Sequence, residues 1–269
     1  MCAVDWWLIT PQRCDVGHHW LSAGNEIFKL IGVKRATSTP LFGCRIGRAQ
    51  MLYNEARWLA RVLERYSMGD LSPLINIASG DRIFREEVQP HIDELIFKPL
   101  RIRNIKVIHF DLKDEIGVDI RGDIFNDDDV QKLKRIEPKS AICSNMMEHV
   151  LYPHELAKRC FSLIPKGGLL FVTVPLSYPY HADPIDTMFR PRPQELAELF
   201  KPFKIIASEI VTGGSYRDEV RKRPWIMFRH IFRFPFPFVK FERWKRSMRK
   251  LYWLFHDYKV TCIVVKKEV

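Results

Sequence analysis

The chain has 269 residues, with 43 Lys/Arg against 32 Asp/Glu for a formal charge of +11, and its 46% hydrophobic content is enough for a full core. No uninterrupted apolar stretch reaches the roughly 18 residues of a membrane span, and the N-terminus (MCAVDWWLITPQRCDVGHHW) lacks the basic start and clean apolar stretch of a signal peptide. The six cysteines (Cys2, Cys14, Cys44, Cys143, Cys160, Cys262) are scattered without a CxxC pair, which argues against a disulfide scaffold or zinc site and makes a reducing cytoplasm the default expectation.

Residues 1–47 show no clear period and read as an N-terminal extension. From Arg48 to Tyr66 the pattern changes: Leu52, Ala56, Leu59, Val62 and Leu63 recur at helical spacing among Arg and Glu, and Gly69 then Pro73 end the helix. A strand is predicted over Leu74–Ala78, then helix over Arg82–Phe97 with Pro90 interrupting it. Further strands are predicted at Lys106–Phe110 and Val118–Ile120, and a short helix at Asp127–Arg135, whose opening acids suit the helix dipole. Ala141–Ser144 reads as the fourth strand, Pro153–Leu163 as helix, and Lys166-Gly167-Gly168 as the turn into a fifth strand, Leu169–Val174. A helix with Pro in its opening turn follows at Pro193–Phe200, then strands at Phe203–Val211 and, far downstream, Tyr258–Val265.

Five of these segments run LINIASG, KVIHFD, VDIRGDI, SAICSNMMEHV and LIPKGGLLFVTVP. Each apolar run is short, mostly β-branched, and ends in a Gly, an acid or an amide. That is the profile of buried parallel strands that deliver polar groups to one edge of a sheet, where ligands of open α/β folds bind. A dinucleotide fingerprint is absent: the turn Ala78-Ser79-Gly80-Asp81-Arg82 has one glycine, and the next strand-end acid, Asp111, is too far away. A GxxxxGK[ST] phosphate loop is also absent, and neither a metal-ligand cluster nor a nucleophile–base pair is legible from spacing.

The five segments together resemble the class I S-adenosylmethionine-dependent methyltransferases. The likeness runs from about Leu71 to Phe203, with Tyr258–Lys267 as the returning last strand. The small-molecule branch of that family reads VLDVGSG, an acid, GD, CSEVLEHV and LKPGGxLxxTVP; here these are LINIASG, HFD, RGDI, CSNMMEHV and IPKGGLLFVTVP. The resemblance implies a Rossmann-like, seven-stranded, mostly parallel sheet with helices on both faces. It also implies S-adenosyl-L-methionine as cofactor. Asp111 would take the ribose hydroxyls, Asp123 and Ile124 the adenine, the turn Ala78-Ser79-Gly80 the methionine part, and Asn145 would lie beside the sulfonium. Asn76 belongs to the same set but stands where the family has Asp or Glu. Ala78 replaces a glycine and Arg82 stands where a third glycine often sits. These departures keep a second reading open, a catalytically inactive relative that binds membrane or a protein partner.

After the fifth strand, the stretch Leu176–Arg190 is rich in proton donors and acceptors: Tyr178, Tyr180, His181, Asp183, Asp186 and Arg190. Related methyltransferases carry a similar H-x-D-P-x-D…R stretch over the pocket mouth, which implies a substrate-facing loop. His181 is the expected base for a hydroxyl acceptor, with Asp183 orienting it, and O-methylation of a small or lipid- or glycan-linked acceptor is the expected reaction. Against this, Asp186 and Arg190 can pair i to i+4 simply to shape the loop, and His149, at the start of the helix after the fourth strand, reads as a packing or capping residue. The segment 213–255 is an insertion before the last strand. Its core, Arg221–Phe255, carries eleven Lys/Arg and a single acid among many aromatics. An anionic membrane surface, a nucleic acid, or a packed insertion with solvated bases each accounts for that composition, with nucleic acid the least favoured. Pro235 and Pro237 exclude one long helix.

Overall fold

The computed structural model describes residues 51–181, 185–238 and 240–268; the expected extension over 1–47 lies outside them. The first helix, α1 (Tyr53–Leu63), turns Trp58, Leu59, Val62 and Leu63 onto the sheet. Ser67 then caps a further short helix, α2 (Met68–Leu71), so Gly69 lies inside a helix instead of ending one. Strand β1 is Leu74–Ile77. Two π-helical turns, Phe84–Val88 and Asp93–Phe97, flank α3 (Pro90–Ile92), and α4 (Lys98–Ile102) closes the run. Pro90 interrupts the helix as predicted and opens α3.

Strands β2 (Val107–Asp111) and β3 (Ile120–Arg121) follow, then α5 (Asp127–Lys134), whose Asn126 cap accepts from Asp129 N–H. Strand β4 (Ser140–Ser144), α6 (Pro153–Leu163) and β5 (Leu169–Ser177) match their predicted positions, except that β5 runs three residues further. Helix α7 (Pro193–Glu198) and β6 (Lys204–Ser215) precede three helices of the insertion: α8 (Tyr216–Lys222), α9 (Trp225–Arg233) and α10 (Phe241–Tyr252). The last strand, β7, is Asp257–Lys266.

The seven strands form one sheet in the order β3-β2-β1-β4-β5-β7-β6. Neighbours from β3 to β5 are parallel, whereas β7 runs antiparallel to both β5 and β6. The expected α/β architecture is therefore present. Side-chain alternation splits the core in two. Ile75, Ile77, Cys143, Val172 and Ile263 face α5, α6 and α7, while Leu74, Ile142, Phe171 and Val264 face α1 and the π-helical run. Each fully buried Leu or Ile of these layers contributes roughly 2 kcal/mol relative to exposure. Strand order reverses between β1 and β4, so the carboxyl ends of these two strands flank the crevice where an open sheet takes its ligand.

The insertion is built differently. His230 is buried, with Nε2 2.7 Å from Tyr216 Oη and Nδ1 2.7 Å from Ser247 Oγ, which ties α8, α9 and α10 together. Its own apolar core is small, Tyr216, Ile226 and Tyr258 with a few half-buried neighbours. Most of its aromatics face outward: Phe232, Phe238 and Phe255 are 74%, 77% and 82% exposed, and Trp225, Phe228, Phe234, Phe236 and Phe241 are exposed too. A packed insertion with its aromatics in the core is not what forms. No helix among the described residues is long and apolar enough to cross a membrane.

Candidate active site

The turn after β1 is held by hydrogen bonds that the sequence does not announce. Ala78 and Gly80 both adopt left-handed backbone, at φ 54° and 64°. Gly80 N–H donates to Asp111 Oδ2 (2.8 Å), and Lys113 N–H donates to Oδ1 of the same carboxylate (3.1 Å). Beneath the turn lies Arg85, only 4% exposed. Its guanidinium donates to the carbonyls of Ser79 (3.2 Å), Gly80 (2.5 Å) and Gly117 (2.8 Å), and burial pushes its pKa down. Gly117 sits at φ 85°, where a Cβ would come within 2.6 Å of Arg82 Cβ, so glycine is required there. With Arg82 N–H bonded to Ile116 O (2.8 Å), the β2–β3 loop is fastened to the β1 turn.

Asn76 points sideways along the sheet, its Nδ2 3.2 Å from His109 Nδ1. Because an amide nitrogen only donates, His109 accepts at Nδ1. Burial, then the nearby Arg85 charge, push the His109 pKa down to about 4 and keep the ring neutral. Asp123 shapes its own turn: Oδ1 accepts from Phe125 N–H (2.9 Å), and its N–H donates to Asp129 Oδ2 (2.9 Å). The Ile124 side chain is buried in the core, which fixes the backbone on either side of it.

The ends of β4, β5 and β7 are arranged otherwise. Asn145, left-handed at φ 50°, donates from Nδ2 to Glu55 Oε1 (2.8 Å). Thr173 Oγ1–H donates to the same oxygen (2.6 Å), and Leu52 N–H donates to Oε2 (3.0 Å). Glu55 is fully buried, and that burial, against the opposing bonds from Thr173, Leu52 and Asn145, pushes its carboxyl up to about 7. Asn145, Glu148, Tyr178 and His181 line a hollow of about 10 Å³ closed by Leu52, Pro175 and Val260. Glu148 is fully buried and burial pushes it up to about 8. It lies on a single 3₁₀ turn, Met147–His149, not in the helix expected after β4.

His181 is held from behind. Its N–H donates to Asp186 Oδ2 (3.0 Å), and its ring Nδ1 lies 3.2 Å from Pro179 O and 3.3 Å from Asp186 Oδ2. Asp186 also takes Met188 N–H at Oδ1 (2.8 Å) and Arg190 Nη2 at Oδ2 (2.7 Å). Burial pushes the Asp186 carboxyl up, but these donors outweigh it and hold it below the usual range. Asp186 and Arg190 are thus occupied with shaping the loop, as their i, i+4 spacing allowed. Tyr180 is exposed. Asp183, expected to orient His181, lies outside the described residues; among these, Asp186 is the carboxylate beside that ring.

Eight of the predicted residues therefore fall into three groups, while Asn76 turns to His109, Ala78 is exposed in the β1 turn, Asp186 and Arg190 pair within the loop and Tyr180 faces solvent. Ser79, Gly80 and Asp111 meet at the β1 turn, Asp123 and Ile124 stand in their own turn after β3, and Asn145, Tyr178 and His181 share the hollow. Glu55 was missed. Its sequence signal is an acid placed three before Trp58, four before Leu59 and seven before Val62, squarely in the apolar stripe of α1. Glu148 was visible in NMMEHV but carried no assigned role.

No family model and no curated protein matches the chain. Among solved structures, a S-adenosylmethionine-dependent methyltransferase from Archaeoglobus fulgidus is 13% identical, with 79% of this chain and 94% of that one covered at a TM-score of 0.40. A sarcosine dimethylglycine methyltransferase, so described provisionally, from Galdieria sulphuraria is 12% identical over 79% of this chain and 85% of that one, TM-score 0.45. The [4+2]-cyclase SpnF is 11% identical over 79% and 82% of the two chains, also at 0.45. These similarities are too distant to carry an assignment, which has to come from the site.

Proposed function

We propose that this chain is a class I S-adenosylmethionine-dependent methyltransferase acting on a hydroxyl of a small or lipid- or glycan-linked acceptor. The observation that carries the reading is a shared edge. Beside the strand-order reversal, a carboxylate is fixed against a tight glycine turn, and a small hollow edged by Asn145, Glu148, Tyr178 and His181 lies at the ends of the adjoining strands. The donor set suits the cofactor. Each Asp111 oxygen accepts one backbone N–H and keeps a lone pair for a ribose hydroxyl. Asp123 is exposed at the next strand end for the adenine amino group, with the backbone of Ile124 anchored beside it. The Ala78–Gly80 turn offers close backbone approach to the methionine part. Asn145 uses its amide N–H on Glu55 and keeps its carbonyl oxygen as an acceptor.

When bound, the cofactor supplies an electrophilic methyl group on a good leaving group, so the protein's main task is positioning the nucleophile. Tyr178 and His181 border the hollow and can hold the acceptor hydroxyl there. The insertion is proposed to rest this site on an anionic lipid surface. Its exposed aromatics suit the lipid boundary, and its eleven Lys/Arg suit anionic headgroups at about 1 kcal/mol each near the surface. Tyr178 and Leu52 belong both to the hollow and to the small core under the insertion, which brings a lipid-linked acceptor close to the hollow.

Calorimetric titration with S-adenosylmethionine and S-adenosylhomocysteine tests the enzyme reading. Binding of either is expected, weakened about tenfold or more in Asp111→Ala by loss of a charge-assisted bond. No heat from either ligand would remove the enzyme and leave a binding module. Pelleting with phosphatidylserine vesicles tests the attachment: binding should fall at high salt and in a Phe232→Ser/Phe238→Ser variant. Retention by a nucleic acid but not by vesicles would replace the lipid reading.

A further inference from the structure

We propose that Glu148, His149 and His181 bind a divalent transition-metal ion at the floor of the acceptor hollow. One ligand atom from each lies within 4.8 Å of the others, and Glu148 Oε1 is 3.7 Å from His149 Nε2. Glu148 is fully buried, yet neither of its oxygens has a hydrogen-bond partner; nor have the buried Nε2 atoms of His149 and His181. Leaving buried polar atoms unpaired costs about 1–3 kcal/mol each, and here four of them converge.

The histidine partners decide what those nitrogens carry. His149 Nδ1 bonds the carbonyl of Ile185, and His181 Nδ1 lies 3.2 Å from the carbonyl of Pro179, with Asp186 behind it. A carbonyl oxygen only accepts, so both rings bear their proton on Nδ1. His149 Nε2 then presents a lone pair to Glu148 Oε1, 3.7 Å away, and His181 Nε2 carries a second, unpartnered lone pair. Once Glu148 is ionised, as a metal ligand must be, the cluster is all acceptors and no donors, and a cation satisfies them. Backbone carbonyl and carboxylate contacts behind a ligating imidazole are also the usual means of fixing its tautomer and orientation.

Two imidazoles and one carboxylate select a borderline ion such as Zn²⁺, Fe²⁺ or Co²⁺ over Ca²⁺ or Mg²⁺, which prefer oxygen. Bonds of about 2.0–2.2 Å place tetrahedral ligand atoms roughly 3.4 Å apart, so a cluster spanning up to 4.8 Å closes by up to about 1.4 Å on binding, least between Glu148 and His149 at 3.7 Å. Three protein ligands leave a position open toward the hollow. On the methyltransferase reading, which this inference deepens, the acceptor hydroxyl takes that position. A bound ion would lower the hydroxyl pKa so that the proton leaves to solvent; the oxygen would then form its bond to the methyl carbon as the methyl–sulfur bond breaks, leaving S-adenosylhomocysteine. His181 is then a ligand, not the base expected from sequence.

The test is metal binding by the full chain without S-adenosylmethionine. After EDTA treatment and its removal, Zn²⁺ is titrated against a chromophoric chelator, and Co²⁺ is followed by its visible d–d bands. One tight equivalent is expected, with a Co²⁺ spectrum lacking thiolate charge transfer. His149→Ala, His181→Ala and Glu148→Gln should each weaken that equivalent by about tenfold or more. No tight equivalent in the wild type, or one unaffected by the three substitutions, overturns the proposal. If an alanine variant fails to fold, Glu148→Gln and the wild-type Co²⁺ spectrum still decide it. S-adenosylmethionine binding is read separately, so a chain that binds cofactor but no metal loses only this inference, and one that binds metal but no cofactor loses only the enzyme.

Discussion

The two halves of the sheet's carboxyl edge use their buried polar groups in opposite ways. At β1 and β2, Arg85, Asp111, Gly80 and the β2–β3 loop satisfy one another. After β4 and β5, both Glu148 oxygens and the Nε2 atoms of His149 and His181 are buried without a partner. The first arrangement holds the fold together. The second stores destabilisation that only a ligand relieves, which is the stability–function trade expected where binding occurs. If that distinction is real, substitutions on the two sides should change stability with opposite signs.

The largest effect belongs to Arg85. Arg85→Ala strips three carbonyls of their donor in a buried place and is expected to destabilise by about 3 kcal/mol, with incomplete rescue by Lys, whose single ammonium does not reproduce the fork. Urea denaturation measures it. A cost near zero would mean that the β1 side is no better built than the other, and the contrast would fail.

Glu55 sits between the two sides and gives a pH signature. Burial raises its folded pKa to about 7 from 4.5. A carboxyl raised in the fold stabilises fully below its unfolded pKa, and that contribution is lost as pH rises through the folded value. Stability should therefore fall by roughly 3 kcal/mol between about pH 4.5 and pH 7 on this group's account. Glu55→Gln cannot titrate, so its unfolding free energy should lack this fall even if its absolute value is offset by the lost Leu52 bond. Equal pH slopes in the two proteins would remove the buried acid from the argument.

Glu148→Gln should act with the opposite sign to Arg85→Ala. In chelated protein above about pH 8, where the carboxyl is ionised, it replaces an unpaired buried carboxylate with a neutral isostere, and about 1 kcal/mol of added stability is expected. With Zn²⁺ present the order should reverse, because only the wild type retains the anionic ligand. A thermal scan with and without the metal checks both halves.

What was legible in the sequence follows the same division. Strand positions came through to within a few residues because buried parallel strands are nearly pure β-branched runs, and β4, α6 and β5 are each bounded by punctuation such as Pro153 and Gly167-Gly168. Asn145, Tyr178 and His181 border one hollow because strand-end residues converge by topology alone. Glu55 was hidden because a helical pattern read for apolar residues passes over an acid in the stripe. The pairing of Glu148 with His181 joins residues on opposite sides of α6 and β5, a contact that no local spacing encodes. The insertion's composition fits a packed or an exposed element equally well; only the small core beneath α9 and α10 separates them.

The smallest expected effect is also the finest test of the β1 turn. Ala78 holds left-handed backbone at φ 54°, a conformation that costs an L-residue with a Cβ roughly 1–2 kcal/mol. The residue is exposed, so its methyl contributes little packing. Ala78→Gly removes the strain but gives the unfolded chain more freedom, which offsets roughly half of the gain. A net increase of about 0.5–1 kcal/mol is expected, seen as a melting temperature higher by roughly 2–4 °C. The same change clears one methyl from the turn assigned to the methionine part, so affinity for S-adenosylhomocysteine should rise or hold. A variant that gained stability and lost affinity would place that ligand away from the β1 turn.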